Sequence, residues 1–188
     1  MLILLNKPYG VICQFSPHPE RPTLATCIDI PGIYPAGRLD ADSEGLVLLT
    51  DDGKLQHAIA DPRRKQTKTY LVQVEGKVKR EHLDQLEQGL DLGDITTAPC
   101  RANEALQPDW LWPRTPPVRQ RAHLATSWLV IRLTEGKNRQ VRRMTAAVGL
   151  PTLRLIRTAI GPFSLENQPL MPGEWREVAA EAFDTPPG

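Results

Sequence analysis

The 188 residues are 40% hydrophobic and 24% charged, with a formal net charge of +1, an ordinary composition for a soluble globular chain. That length fills one domain, or two small lobes sharing a core, and no window holds the roughly 18 apolar residues of a membrane span. Met1–Leu5 is apolar but has no basic run before it and meets Asn6-Lys7-Pro8 at once, so it is not read as a signal peptide and the chain is expected in the cytoplasm.

Leu2–Leu5 and Val11–Phe15 read as short strands around a Pro8-Tyr9-Gly10 turn, followed by an exposed, turn-rich His18–Pro22. Gly45–Thr50 is a compact apolar run closed by Asp51-Asp52-Gly53, the pattern of a buried strand and its turn. Lys54–Ala60 predicts a short helix. Thr69–Glu75 alternates, with Tyr70, Val72 and Val74 on one face of a strand. Leu83, Leu86 and Leu90 place a helix over Lys79–Leu90, ending near Gly89. Pro108–Pro117, with four prolines and two tryptophans, predicts an irregular loop. Trp128–Leu133 is a further strand. Asn138 is placed to cap a helix whose Val141, Met144 and Val148 face the core, and Gly149 and Pro151 stop it. Leu153–Ile160 and Trp175–Val178 close the series of strands. Strands outnumber helices and do not alternate with them, which predicts an α+β fold with a mixed, largely antiparallel sheet and flanking helices. Residues 1–180 are expected to form a single domain, undivided or of two sublobes sharing a sheet, with 181–188 as a flexible tail.

Cys13, Cys27 and Cys100 are odd in number and widely spaced, so neither a disulfide framework nor a zinc site is expected. His18, His57, His82 and His123 have no partner pattern and are given no role. The near-zero net charge hides local clusters. Lys137, Arg139, Arg142, Arg143, Arg154 and Arg157 follow Glu135 with no acid among them, and Arg63-Arg64-Lys65 with Lys68 forms a second knot. Phosphate binding follows local potential rather than net charge, so these clusters suggest a nucleic-acid track, although a solvated basic face would look the same.

The acids of Asp40-Ala41-Asp42-Ser43-Glu44-Gly45 admit three readings. They match the opening of an EF-hand loop, but Pro31, Gly32, Pro35 and Gly37 oppose an incoming helix. They also suit a glycosidase-like pair of carboxylates, without the aromatic platform of a sugar cleft. The third reading is a solvated, capped turn.

The surrounding residues are more specific. Gly37-Arg38-Leu39-Asp40-x-x-Ser43-Glu44-Gly45-Leu46-x-Leu48-Leu49-Thr50-x-x-Gly53 resembles the signature of the RsuA-type bacterial ribosomal RNA pseudouridine synthases, whose aspartate is catalytic. Asn6-Lys7-Pro8, Lys68-Thr69-Tyr70 and Glu135-Gly136-Lys137-Asn138-Arg139-Gln140-Val141-Arg142-Arg143-Met144 resemble that family's other motifs in the same order. The resemblance spans residue 2 to about residue 178. Many members carry an S4-type RNA-binding domain before the first motif, for which this chain has no room, and the likeness is greatest to members acting on the large ribosomal subunit.

The resemblance implies the family's fold and the conversion of uridine to pseudouridine in large-subunit (23S) ribosomal RNA. It implies Asp40 as the essential carboxylate, acting at C1′ as a nucleophile or at H2′ as a base. It implies Lys137 as the cation beside that carboxylate and Tyr70 as the ring stacked on uracil. Arg38 is implied near the phosphate of the flipped nucleotide, and Leu153 beneath the active site. Arg139, Arg142, Arg143, Arg154 and Arg157 are candidates for contacts to neighbouring phosphates. Isomerisation needs no redox step, phosphate energy or metal, so no cofactor is expected. The partner expected is ribosomal RNA or an assembling ribosomal particle, met by a monomer whose Trp110–Pro117 loop shares in RNA contact.

Overall fold

The computed structural model describes Met1–Asp184, and the last four residues of the expected tail lie outside the described residues. In chain order the elements are β1 (Leu2–Lys7), β2 (Tyr34–Ala36), β3 (Glu44–Thr50), α1 (Gly53–Ala60), β4 (Lys68–Glu75), α2 (Arg80–Gln88), β5 (Arg101–Ala105), β6 (Thr126–Leu133), α3 (Gln140–Ala147), β7 (Thr152–Ile160), β8 (Phe163–Ser164) and β9 (Trp175–Val178). The fold is α+β with a mixed, mostly antiparallel sheet. The chain divides into two compact units, Met1–Gln66 with Arg157 onward, and Thr67–Ile156.

In the first unit the strand order is β7-β3-β1-β9, with β2 also on β3 and β8 on β7. β1 and β3 pair antiparallel from Leu2 opposite Thr50 to Lys7 opposite Gly45, and every residue of both strands is buried. A strand covered on both faces reads as a continuous apolar run, which is why Leu2–Leu5 and Leu46–Leu49 do not alternate. Ile3, Leu5, Val47 and Leu49 pack with Val11, Leu24, Ile28, Ile33 and Leu39 in one core. The Asp52 carboxylate caps α1, accepting from the amides of Lys54 at 2.8 Å and Leu55 at 3.3 Å.

In the second unit the order is β5-β6-β4-β7. β6 pairs antiparallel with β4 on one side and β5 on the other. Val72, Val74, Leu129 and Ile131 meet Leu83 and Leu86 of α2 and Val141 and Met144 of α3 in this unit's core.

Several expectations are corrected. Val11–Phe15 forms no strand. Ile12 makes a single bridge to Thr23, while Val11 and Cys13 turn into the core. Leu71 and Gln73 are buried along with Tyr70, Val72 and Val74, so β4 is covered on both faces. The cap position of α3 is Arg139, in the left-handed region with φ 52°, not Asn138. The expected tail is helical over Ala180–Asp184 and buries Phe183, an anchor that composition alone did not reveal.

Candidate active site

In the first unit the segment between β2 and β3 holds Arg38 on the surface, Leu39 in the core and Asp40 half-buried. The turn that follows is closed by the Ser43 amide donating to the Asp40 carbonyl at 3.1 Å. Ser43 and Glu44 are then buried. The Ala41 carbonyl accepts from the Gly10 amide at 2.7 Å and from Lys7 Nζ at 3.4 Å. Lys7 is wholly buried and also donates to the carbonyls of Pro8 and Val11, both at 2.8 Å. Removal from water pushes its ammonium down to about 8, while negative groups near it, among them Glu44 and Asp42, pull the other way. A buried cation thus sits under the backbone next to Asp40. No role was assigned to Lys7 from the sequence, although a lysine ending an otherwise apolar strand was the available signal.

This geometry removes the calcium reading and takes Glu44 out of any carboxylate pair. The segment entering Asp40 is strand β2 and its turn rather than a helix, Glu44 is buried at the start of β3, and Asp51 is held by the Met1 amino group at 2.9 Å. A calcium loop would need those oxygens converging, and no cluster of three or more His, Cys, Asp or Glu side chains suited to a metal exists among the described residues. Burial of Glu44 likewise keeps it from serving as a second carboxylate of a glycosidase pair.

In the second unit Tyr70 lies on β4 opposite Ile131, 8% exposed and packed in the core cluster. Lys137 is exposed in the turn before α3, with Glu135 Oε2 at 3.9 Å as a carboxylate neighbour within its unit. That turn is built by Gln140, whose side chain accepts from the Lys137 amide at 3.1 Å and donates to Glu135 Oε1 at 2.6 Å. Glu135 Oε1 also accepts from the Ala98 amide at 2.7 Å. Gln140 and Glu135 therefore support Lys137, a role not read from the sequence because each looks like a routine polar residue in a helix start.

The candidate phosphate ligands separate into two groups. Arg139 is exposed and Arg142 half-buried at the start of α3. Arg143 pairs with Asp94, which raises its pKa further, and donates to the Leu92 carbonyl at 3.4 Å. Arg154 and Arg157 are corrected. They are 5% and 4% exposed and their guanidinium groups donate to backbone carbonyls, Arg154 to Trp112 at 2.9 Å and Arg157 to Leu46 and Arg38 at 2.9 and 3.1 Å. A guanidinium committed to buried carbonyls is not presented to a phosphate. Leu153 is half-exposed, and its carbonyl accepts from Arg114 at 3.5 Å. The Trp110–Pro117 loop is anchored, with Leu111 and Trp112 buried and Trp110 left partly exposed against Trp112 at a ring distance of 6.2 Å.

Residues 1–147, which carry all four motifs, match the family model described as RNA pseudouridylate synthase. This chain belongs to the RNA pseudouridylate synthase family. It is similar to the ribosomal large subunit pseudouridine synthase E of Xanthomonas campestris pv. campestris, 55% identical over 184 residues, covering 97% of each. It is also similar to the ribosomal small subunit pseudouridine synthase A of Salmonella typhimurium, 37% identical over 183 residues, covering 95% of this chain and 70% of that one. Among solved structures, a crystal structure of a pseudouridylate synthase superposes with a TM-score of 0.77 at 30% identity, covering 97% of this chain and 72% of that one. The RsuA-type resemblance of the motifs is thereby established, and this synthase is an RNA-modifying isomerase.

Proposed function

We propose that this synthase isomerises a uridine of large-subunit (23S) ribosomal RNA with Asp40 as its essential carboxylate, working as a monomer in the cytoplasm. The observation that carries the reading is the setting of Asp40: a half-buried acid on a turn whose backbone is fixed at Ala41 by Gly10 and the buried Lys7. The choice of large-subunit RNA is supported by the name of the relative that is 55% identical over nearly the whole length of both chains.

The reaction breaks the C1′–N1 bond, turns the uracil and joins C5 to C1′. The C5 proton leaves and N1 regains one, so product and substrate are isomers. Asp40 acts ionised, as a nucleophile at C1′ or as the base that removes H2′. Tyr70 stacks on the detached base, and Lys137 supplies positive charge. Extruding the uridine costs a few kcal/mol, which contacts to neighbouring phosphates from among Arg38, Arg139, Arg142 and Arg143 offset.

Ribosomal RNA lacking the modification, incubated with purified protein and mapped for pseudouridine, tests this. Wild type forms pseudouridine in the large-subunit RNA and not in the small, and Asp40→Asn forms none while still binding RNA. Product formation by Asp40→Asn removes Asp40 from its role. Release of free uracil by wild type replaces the isomerase with a hydrolase, and binding without any product leaves an RNA-binding factor.

A further inference from the structure

Arg157 was a candidate phosphate ligand, yet its side chain points into the protein. Nε donates to the carbonyl of Leu46 at 2.9 Å and Nη1 to the carbonyl of Arg38 at 3.1 Å. Those two carbonyls lie at either end of the segment that carries Asp40. The backbone of Arg157 grips the same segment. A Cβ placed on Gly45 would lie 2.2 Å from the Arg157 carbonyl oxygen and 2.9 Å from its nitrogen, so the two main chains run in direct contact.

From this we infer that Arg157 is a positioning residue, a two-pronged clasp that sets the path of Arg38–Leu46 and hence the direction of the Asp40 carboxylate. The inference rests on the role proposed for Asp40. A planar guanidinium presents donors in a fixed fork and reaches two acceptors at once. A lysine ammonium is a compact point charge on a flexible stem, and methionine fills similar space with no donor. Arginine is therefore the residue type suited to holding both carbonyls. A catalytic carboxylate misplaced by about 1 Å can lose on the order of 100-fold in rate, so a clasp outside the reacting groups controls kcat through geometry.

The test uses the full chain with Arg157→Lys and Arg157→Met. Hydrogen exchange is read on peptides covering residues 38–46, and single-turnover kinetics are measured on unmodified ribosomal RNA. Arg157→Met is expected to raise exchange in 38–46 selectively and to lower the chemical rate on the order of 100-fold, with KM for RNA unchanged. Arg157→Lys falls between wild type and Arg157→Met in both measurements. If Arg157→Met does not fold, Arg157→Lys decides alone. Wild-type exchange and wild-type rate in Arg157→Lys overturn the clasp, and so does a rate loss that merely tracks the loss of folded protein. Asp40→Asn run beside them separates the two ideas. An active Asp40→Asn together with loosened 38–46 in Arg157→Lys overturns the catalytic reading alone. An inactive Asp40→Asn with an undisturbed Arg157→Lys overturns the clasp alone.

Discussion

Lys7 is an ammonium group with no exposed surface, kept from water by the strands around it and solvated by the carbonyls of Pro8, Val11 and Ala41. Desolvation is the larger influence and pushes its pKa from 10.5 down to about 8. The folded protein therefore releases this proton more readily than the unfolded chain does. Below about pH 8 both states hold the proton and the folded state bears the whole cost of burying charge. Between about 8 and 10.5 the unfolded chain binds more protons, so stability from this group rises with pH. Urea unfolding of wild type and Lys7→Met from pH 7 to 10.5 should show wild type gaining on the variant, by up to about 1.4 kcal/mol per pH unit. A difference that stays flat across that range would mean that Lys7 titrates normally in the fold.

At the scale of the element, β3 depends on a residue with no side chain. Gly45 has φ 112° and lies against the Arg157 backbone, whereas Gly53 at the start of α1 has open space around its α-carbon. Gly45→Ala should destabilise by roughly 3 kcal/mol or more, through both strain and collision, while Gly53→Ala should be neutral or slightly stabilising. Urea midpoints of the two variants check this, and equal midpoints would refute the close approach. The sequence made β1, β3, α2, β6 and β7 legible because their apolar runs or repeats are long enough to set a period. β5 was not legible, since Arg101–Ala105 is an edge strand that commits only Ala102 fully to the core. Val11–Phe15 misled because two core-facing side chains in an irregular segment look like half a strand. For the site, the motifs pointed to Asp40, Tyr70 and Lys137. What the arginines do could not be read from charge, because Arg154 and Arg157 look like Arg139 until their burial is known.

For the molecule as a whole, that burial changes how much of the basic cluster is available to RNA. With Arg154 and Arg157 turned inward, the proposed phosphate contacts are drawn from Arg38, Arg139, Arg142 and Arg143. Three or four contacts to single-stranded RNA predict a slope of log K against log salt of roughly −2 to −3. Filter binding of a ribosomal RNA fragment across a salt series measures it, and a slope of about −5 or steeper would return further arginines to the interface. The division of the chain also sets an order of events on the ribosome. Thr67–Ile156 is a contiguous stretch, whereas the other unit needs Met1–Gln66 together with the chain from Arg157 onward. β1 is translated before the other described strands, yet its partner β9 emerges after all of them. Throughout synthesis the Leu2–Leu5 edge waits with its amides and carbonyls unpaired on one side, the arrangement most prone to capture by another strand. A nascent chain stalled before Trp175 would carry that bare edge for as long as the stall lasts.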